Sequence, residues 1–156
     1  NIKTIMVNLK VKRLNEYAVI PSYANPGDAG MDLYSVRDYI IKPGERELIS
    51  TGIAVEFSEG YEFQIRPRSG LAIKHGISIV NSPGTVDAGY RGELGVILIN
   101  HGDRDFEISR GDKIAQGVLS PVVQAEIVEA NDLRVSARGD GGFGSSGGHG
   151  SLESRT

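Results

Sequence analysis

Cysteine is absent from this 156-residue sequence, which excludes disulfide bonds, thiolate nucleophiles, and zinc or iron–sulfur sites with cysteine ligands. An excess of basic residues is also missing, because 17 Lys and Arg stand against 20 Asp and Glu, for a formal net charge of −3. Non-specific nucleic-acid binding depends on the neutralisation of phosphates by basic side chains. We therefore expect no nucleic-acid partner.

Long apolar runs are missing as well. The longest, such as Val96–Ile99, are far shorter than the ~20 residues that a membrane-spanning helix needs, so we expect no membrane association. The sequence opens without a charged segment followed by an apolar one, which predicts a soluble intracellular protein, cytoplasmic or, in a eukaryote, nuclear or organellar. The length suits a single domain.

Short stretches of alternating apolar and polar residues dominate what is present. Tyr61, Phe63 and Ile65 alternate with polar residues, and Ile5–Lys12 has the same period of two, which is typical of strands. Pro-Gly pairs between such stretches indicate turns, because proline presets φ and glycine accepts positive φ. These pairs are Pro26-Gly27, Pro43-Gly44 and Pro83-Gly84.

The pattern therefore predicts an all-β sandwich or barrel. The further predicted strands are Glu45–Ser50, Ile53–Phe57, Tyr61–Arg66, Ile77–Val80, Gly92–Asn100, Asp105–Ser109 and Lys113–Val123. Only Ser69–His75 favours a helix, of one or two turns.

Glycine is the most over-represented residue, with 21 of 156 positions, and seven of these lie between Gly139 and Gly150. A segment with so few apolar side chains cannot offset the entropy of its own ordering, so we predict that it is mobile without ligand. The composition predicts a domain over residues 1–137, a mobile C-terminal lid over 138–147, and a disordered tail or artificial remnant over 148–156.

Two patterns in the glycine-rich tail imitate known motifs. Gly142–Gly147 matches a dinucleotide-binding pattern, but no strand precedes it and no helix follows it. Gly144–Gly148 matches a nucleophile elbow without the strand-to-helix turn that such an elbow needs. The three histidines lie far apart in sequence, which disfavours a metal site with imidazole ligands.

Five segments combine glycine with charged or amide side chains in a way that a plain β-fold does not require. In chain order they are Asp28–Leu33, Arg66–Ala72, Asn81–Gly95, Arg110–Val118 and Arg138–Gly147. In this order they resemble the five motifs of the trimeric dUTP pyrophosphatases, the dUTPases, and the resemblance covers the chain from about Pro21 to Gly147.

This resemblance implies a jelly-roll-like β-barrel with at most one short helix and a mobile C-terminal tail. It implies hydrolysis of dUTP to dUMP and pyrophosphate, which keeps uracil out of DNA and supplies dUMP for dTMP synthesis. It also implies a homotrimer with active sites shared between chains. The expected cofactor is Mg²⁺, held mainly by the triphosphate without a direct protein ligand. Asp32, and less strongly Asp28, would act as an outer-sphere partner or hold Arg68.

The resemblance further implies roles for individual residues. Asp87 would orient and deprotonate the water that attacks the α-phosphorus, Tyr90 would pack against the deoxyribose, and Phe143 would stack on uracil. The residues implied to read the uracil edge are Asn81, Gly84, Thr85, Val86 and Gly95. The residues implied to bind the phosphates are Arg68, Ser69, Gly70, Gln116, Arg138, Gly144, Ser145 and Ser146.

Several of these residues also have a structural interpretation. Asp87 fits a turn residue that bonds its own backbone, Ser69 fits a helix N-cap, and Tyr90 fits a half-buried barrel aromatic. The segment Asn81–Gly95 is expected to form a β-hairpin with a broad loop. Arg66 is expected to be a structural or ion-pair residue, and Asp112 and Lys113 are expected to lie in a turn.

Two rival functions stay open at this point. The dCTP deaminases resemble this pattern, but their catalytic glutamate lies on the strand after the hairpin, where this chain has Val96–Ile99 and where Glu93 comes too early. A nucleotide-binding module without turnover is the other rival, and an assay separates it from an enzyme. Asp140 departs from the family pattern, because it places a negative charge within the phosphate-binding tail.

Overall fold

A computed structural model describes residues 6–148 of the protein. Within these residues the chain forms eleven short strands and one helix, as the alternating pattern predicts. The strands are β1 (Lys10–Arg13), β2 (Met31–Tyr34), β3 (Tyr39–Ile41), β4 (Arg46–Ser50), β5 (Ile53–Glu56), β6 (Tyr61–Arg66), β7 (Ile77–Ile79), β8 (Gly84–Val86), β9 (Gly95–Asn100), β10 (Phe106–Ile108) and β11 (Lys113–Pro121), and the helix is α1 (Ser69–His75).

The strands pair into four antiparallel sheets. The largest has the order β2-β11-β6-β8, and the next has the order β4-β9-β7. Two further pairs join β1 to β5 and β10 to β3. The jelly-roll-like all-β fold with one short helix is confirmed, although the sheets of the described residues do not close into a continuous barrel.

The core lies between the inner faces of these sheets. Phe63 and Leu33 from the four-stranded sheet and Ile49 and Leu98 from the three-stranded sheet are fully buried. β11 also contributes Gly117, where an added Cβ would collide with the ring of Phe63. This close approach explains a glycine in a strand interior, because any larger side chain would displace the central aromatic of the core.

Local structure departs from the sequence-based expectations at three points. The first strand is shorter than the periodic segment, because within the described residues it begins at Lys10. The strands β2, β3 and β8 were not predicted, since three or four residues give too little periodicity to recognise. Gly84 is buried within β8 and does not have positive φ, so the Pro83-Gly84 pair does not form the predicted turn, whereas Gly27 and Gly44 have positive φ.

The predicted hairpin over Asn81–Gly95 is also wrong. β8 pairs with β6, whereas β9 pairs with β4 and β7, so the two strands belong to different sheets. The segment between them crosses from one sheet to the other. A period of two identifies a strand but not its partner, and here the partners come from elsewhere in the chain.

Asn100, at the end of β9, is a fully buried polar residue whose side chain is completely bonded. Its Nδ2 donates to the carbonyls of Ile41 at 2.8 Å and Arg104 at 2.7 Å. Its Oδ1 accepts from the Gly102 amide at 2.8 Å. The side chain therefore joins β3, the end of β9 and the loop before β10.

We expect Asn100→Ala to lower the free energy of unfolding by at least about 1–3 kcal/mol, because the substitution leaves buried carbonyl groups without donors. Urea denaturation at one fixed protein concentration measures the effect. Asn8→Ala, at an exposed position, is the matched control and should change little. Equal stability of the two variants would contradict the structural role of Asn100.

The chain divides into two compact units between Gln124 and Ala125. The described part of the second unit contains no strand or helix and is built from turns, with amide-to-carbonyl bonds from Gly141 to Arg138 and from Ser145 to Gly142. The functional division into a domain over 1–137 and a lid over 138–147 stays a prediction. Of the predicted tail 148–156, all but Gly148 lies outside the described residues.

The described residues hold no helix long and apolar enough to cross a membrane.

Candidate active site

A cavity of about 220 Å³ opens beside β8 and the crossing segment that follows it. It brings together seven residues that the sequence analysis assigned to the nucleoside and the catalytic water. These are Asn81, Gly84, Thr85, Val86, Asp87, Tyr90 and Gly95. The remaining lining residues are Ile65, Ile79, Glu93, Leu94, Val96 and Ile97. We call this space the nucleoside cavity.

Asp87 is exposed at the end of β8 and lines the nucleoside cavity. Its backbone carbonyl accepts a hydrogen bond from the Tyr90 amide at 3.1 Å, so the segment does form a turn. The carboxylate, however, has no hydrogen-bond or ion-pair partner from the chain among residues 6–148. This side chain therefore does not stabilise the turn in the way expected of a purely structural aspartate, and it is free to bind a water.

The nucleoside cavity also has polar groups that come from β8 and from Asn81. β8 is an edge strand of its sheet, and an edge strand presents backbone N–H and C=O groups that lack a strand partner. A Cβ added at Gly84 would lie 3.4 Å from Nδ2 of Asn81, so the carboxamide lies against the glycine backbone. Together these groups offer both donors and acceptors, which is what a pyrimidine edge requires.

Tyr90 is 48% exposed and contributes its ring to the nucleoside cavity. Its hydroxyl donates to the backbone carbonyl of Glu93 at 3.0 Å. Tyr90 therefore is not an aromatic of the core. It is a surface residue that is held by its own neighbours in the chain.

A second cavity, of about 350 Å³, lies where β2, β11 and the start of α1 meet. It brings together the predicted phosphate-binding residues of the first unit. Its lining residues are Ala24, Asp28, Ala29, Gly30, Asp32, Arg68, Ser69, Gly70 and Gln116. We call it the phosphate cavity. It shares no lining residue with the nucleoside cavity.

Asp32 is the anionic centre of the phosphate cavity. Its carboxylate contacts Arg68 with an Nε–Oδ1 distance of 4.0 Å and Lys113 with an Nζ–Oδ2 distance of 3.2 Å. Arg68 also donates to the Lys113 carbonyl at 3.3 Å. Lys113 was expected in a turn, but it begins β11 and pairs with Asp32, so this expectation is corrected. Asp32 therefore holds two cations, and with Asp28, which also lines the cavity, the four charged groups sum to zero.

Gln116 lines this cavity from β11, and its Nε2 donates to the Pro67 carbonyl at 2.9 Å. The Gln116 side chain passes so close to Gly30 that an added Cβ there would collide with its Oε1.

Arg68 is the N-cap of α1, and its side chain makes no capping bond. Ser69 is thus the first helical residue, which corrects its interpretation as the cap.

Of the residues expected to be structural, Asp112 is confirmed in a turn, where it accepts from the Ser109 amide at 2.9 Å. Arg66 has a structural role, because its guanidinium donates to Gln64 Oε1 at 2.9 and 2.7 Å, and no ion pair of Arg66 occurs among residues 6–148.

The remaining predicted site residues belong to the second unit and are described by themselves. Arg138 donates through Nε to the Gly141 carbonyl at 2.8 Å, which closes a small loop. Phe143 is fully exposed, and Gly144 has a φ of 82°. Ser145 and Ser146 follow in the same run of turns. The roles of these residues stay predictions.

Two lining residues of these cavities, Gly30 and Glu93, were missed by the sequence analysis as functional candidates, as was Lys113, which contacts Asp32. Gly30 lies within a segment that was recognised as a motif, but its close approach to Gln116 is visible only in the fold. Among residues 6–148, no group of three or more His, Cys, Asp or Glu side chains is placed to hold a metal ion.

Comparison with known proteins identifies the family to which this chain belongs. A family model described as dUTPase matches residues 16–147. A deoxyuridine 5′-triphosphate nucleotidohydrolase of Nautilia profundicola is 58% identical over 141 residues, which cover 90% of this chain and 99% of the relative. A protein of the same name from Clostridioides difficile is 55% identical over 142 residues, which cover 91% of this chain and 99% of the relative.

Solved structures agree with the sequence relatives. The dUTPase of Staphylococcus bacteriophage 80alpha, solved with dUpNHpp, superposes with a TM-score of 0.85 and 31% identity over 90% of this chain and 98% of its own. A mutant dUTPase from phage phi11 of S. aureus, described as revealing the coordination of a structural Mg(II) ion, has a TM-score of 0.76 and 28% identity over 82% of this chain and 99% of its own.

Proposed function

Since the chain belongs to the dUTPase family, we propose that it is a dUTP diphosphatase, which hydrolyses dUTP to dUMP and pyrophosphate. The observation that carries the proposal is the nucleoside cavity. There the Asp87 carboxylate, which has no partner among residues 6–148, lies beside an edge strand and a carboxamide that together suit a pyrimidine. The relatives are named for this reaction, and the 80alpha enzyme was solved with dUpNHpp.

The uracil ring is bound by Asn81, the backbone of Gly84–Val86, and Gly95. Uracil presents acceptor, donor and acceptor groups in a row, so backbone groups and one carboxamide suffice to read it. Cytosine would place its amino group against a donor, and the cavity wall would exclude the methyl group of thymine. Phe143 stacks on the base when the tail closes.

Asp87 orients the attacking water and takes its proton. Phosphoryl chemistry of this kind needs positioning and a nearby base more than a strong nucleophile, and an unpartnered carboxylate supplies both. The triphosphate is held by Arg68, Ser69, Gly70 and Gln116. The terminal phosphate is bound by Arg138, with Gly144, Ser145 and Ser146 donating amides and hydroxyls from the tail.

The donor set fits a Mg²⁺ ion that arrives with the substrate. Mg²⁺ retains several waters and accepts triphosphate oxygens as ligands, so it needs no dedicated protein cage. Asp32, with Asp28 beside it in the phosphate cavity, is available as an outer-sphere partner, although Asp32 also holds Arg68 and Lys113. The ion would neutralise the negative charge of the pyrophosphate leaving group.

Pyrophosphate release from dUTP tests the proposal, with dCTP, dTTP and UTP as controls. We expect dUTP to be strongly preferred over all three. Equal turnover of dTTP and dUTP would contradict the uracil-specific cavity, and binding of dUTP without pyrophosphate release would show a nucleotide-binding module.

The site is further proposed to be shared within a closed homotrimer. One chain supplies the phosphate cavity, a second the nucleoside cavity and a third the tail. The support on this chain is that the two cavities have no lining residue in common, although one nucleotide must contact both sets.

A mixing experiment checks this arrangement. Arg68→Ala damages only the phosphate cavity and Asp87→Asn only the nucleoside cavity, so each variant alone should be nearly inactive. When the two are unfolded together and refolded, mixed trimers should regain a measurable fraction of dUTP turnover, because some sites combine two intact cavities. Wild-type protein carried through the same cycle is the control. A mixture as inactive as its components would show that each chain carries its own complete site.

A further inference from the structure

Glu93 fastens the crossing segment of the nucleoside cavity to the corner between β4 and β5. Its Oε2 accepts a hydrogen bond from the Ser50 hydroxyl at 2.7 Å and another from the Gly52 amide at 3.1 Å. Both partners lie more than forty positions earlier in the chain. A carboxylate forms stronger hydrogen bonds than a neutral acceptor, so this pair of contacts fixes the Glu93 side chain at one place on the corner.

The next residue secures the same attachment through the backbone. The Leu94 amide donates to the Ile53 carbonyl at 2.8 Å, and the Leu94 carbonyl accepts from the Thr51 hydroxyl at 2.5 Å. Leu94 and Thr51 are each 1% exposed. The peptide unit that joins Glu93 to Leu94 is therefore anchored on both sides by contacts within the chain.

This anchored peptide is the group that holds Tyr90. The Glu93 carbonyl accepts the hydrogen bond from the Tyr90 hydroxyl, while Gly92 lies against the hydroxyl end of the ring, so that an added Cβ at Gly92 would collide with the hydroxyl oxygen and with Cζ. The ring is thus confined between a glycine that leaves room for it and a carbonyl that binds its hydroxyl. Both Tyr90 and Glu93 line the nucleoside cavity.

We propose that Glu93 is a positioning residue for sugar discrimination, because it fixes the carbonyl that holds the Tyr90 ring against the 2′ position of the nucleotide. The inference rests on the proposed function and adds to it the residue that fixes the position of the Tyr90 ring in the nucleoside cavity. Glu93 does not touch the reacting atoms in this proposal. It acts through Tyr90, and Ser50 and Gly52 are its anchors.

The test measures kcat/KM for dUTP and for UTP, and Kd for dUDP and UDP by calorimetry, in a small set of variants. Glu93→Ala removes both side-chain bonds and should lower the preference for the deoxynucleotide roughly tenfold, about the effect of one discriminating contact. Glu93→Gln keeps a carbonyl acceptor and should stay within about threefold of the wild-type preference. Tyr90→Ala removes the ring and defines the largest loss.

Glu47→Ala is the matched control, because Glu47 is exposed on β4 and lines neither cavity. Its preference should equal that of the wild type. If Glu93→Ala does not fold, Tyr90→Phe tests the contact through which Glu93 acts, since it keeps the ring and removes only the bond to the Glu93 carbonyl. Its preference should fall between those of the wild type and Tyr90→Ala.

A wild-type preference in Glu93→Ala, or in Tyr90→Phe if that variant is used, would overturn the proposal. So would a Glu93→Gln variant as unselective as Glu93→Ala, because the hydrogen-bond account requires rescue. A role in stability alone would lower Tm without changing the ratio between the two sugars. Failure of the wild type to hydrolyse dUTP would overturn the proposed function, while the dUDP-to-UDP binding ratio would still decide the role of Glu93. Equal binding of dUDP and UDP by the wild type would overturn the inference itself.

Discussion

Replacing Asp87 with asparagine is expected to lower kcat for dUTP by about 10²–10⁴-fold, the usual effect of removing one general base. The amide can still hold a water by a hydrogen bond, but it cannot accept its proton. Because the Asp87 carboxylate has no partner from the chain among the described residues, the substitution breaks no contact that stabilises the fold. Tm and the affinity for a non-hydrolysable dUTP analogue should therefore stay near their wild-type values.

Asp105→Asn is the matched control for this variant, since Asp105 is also an exposed aspartate beside a strand and lies outside both cavities. Steady-state kinetics and calorimetric titration of both variants separate chemistry from binding. A near-normal kcat in Asp87→Asn would show that Asp87 is a turn residue, and the proposed mechanism would then fail.

Deletion of every residue after Ala137 is expected to reduce kcat/KM by at least roughly 10²-fold, because a single charge-assisted hydrogen bond such as that of Arg138 is already worth ~1.5–3 kcal/mol. The same deletion removes Phe143 and the hydroxyls of Ser145 and Ser146. Tm without ligand should change little, because the one large apolar side chain among residues 138–148, that of Phe143, is fully exposed.

A shorter deletion, of residues 150–156, is the control for the longer one. These residues lie outside the described part of the chain and include no predicted site residue, so kinetics should be unaffected. If the longer deletion also keeps full kcat/KM, the tail is a linker, and the lid role fails even though the family assignment stands. A loss of Tm in the longer deletion would instead place part of the tail in the folded core.

The sequence predicts those elements whose signal is local. β6 and α1 have the predicted bounds, Tyr61–Arg66 and Ser69–His75. In β6 the alternation of apolar and polar residues matches the alternation of burial. In α1 the glycine at position 76 ends the helix with a φ of 66°. Both signals lie within a few residues, so neither depends on knowing what the element packs against.

Strand pairing could not be predicted in the same way. The hairpin expected between β8 and β9 does not form, because each strand pairs with elements remote in sequence, and the periodicity of a strand does not reveal its neighbour. The same distinction between local and long-range signals applies to the residues of the site. Motif residues such as Asp87 and Tyr90 could be identified from their order along the chain, whereas the role of Glu93 depends on Ser50, 43 positions away.

The interior position of β11 in its sheet has a consequence for biosynthesis. β11 is the last strand in the described part of the chain, yet it lies between β2 and β6 and hydrogen-bonds to both. A ribosome therefore delivers β2 and β6 long before the strand that joins them exists. Until Pro121 has left the exit tunnel, both earlier strands carry open edges and uncovered apolar side chains, which is the state most prone to aggregation. The nascent chain thus cannot complete its largest sheet until β11 has emerged. Chaperone binding would matter most before β11 inserts, and a chain terminated before Lys113 would be a substrate for proteolysis.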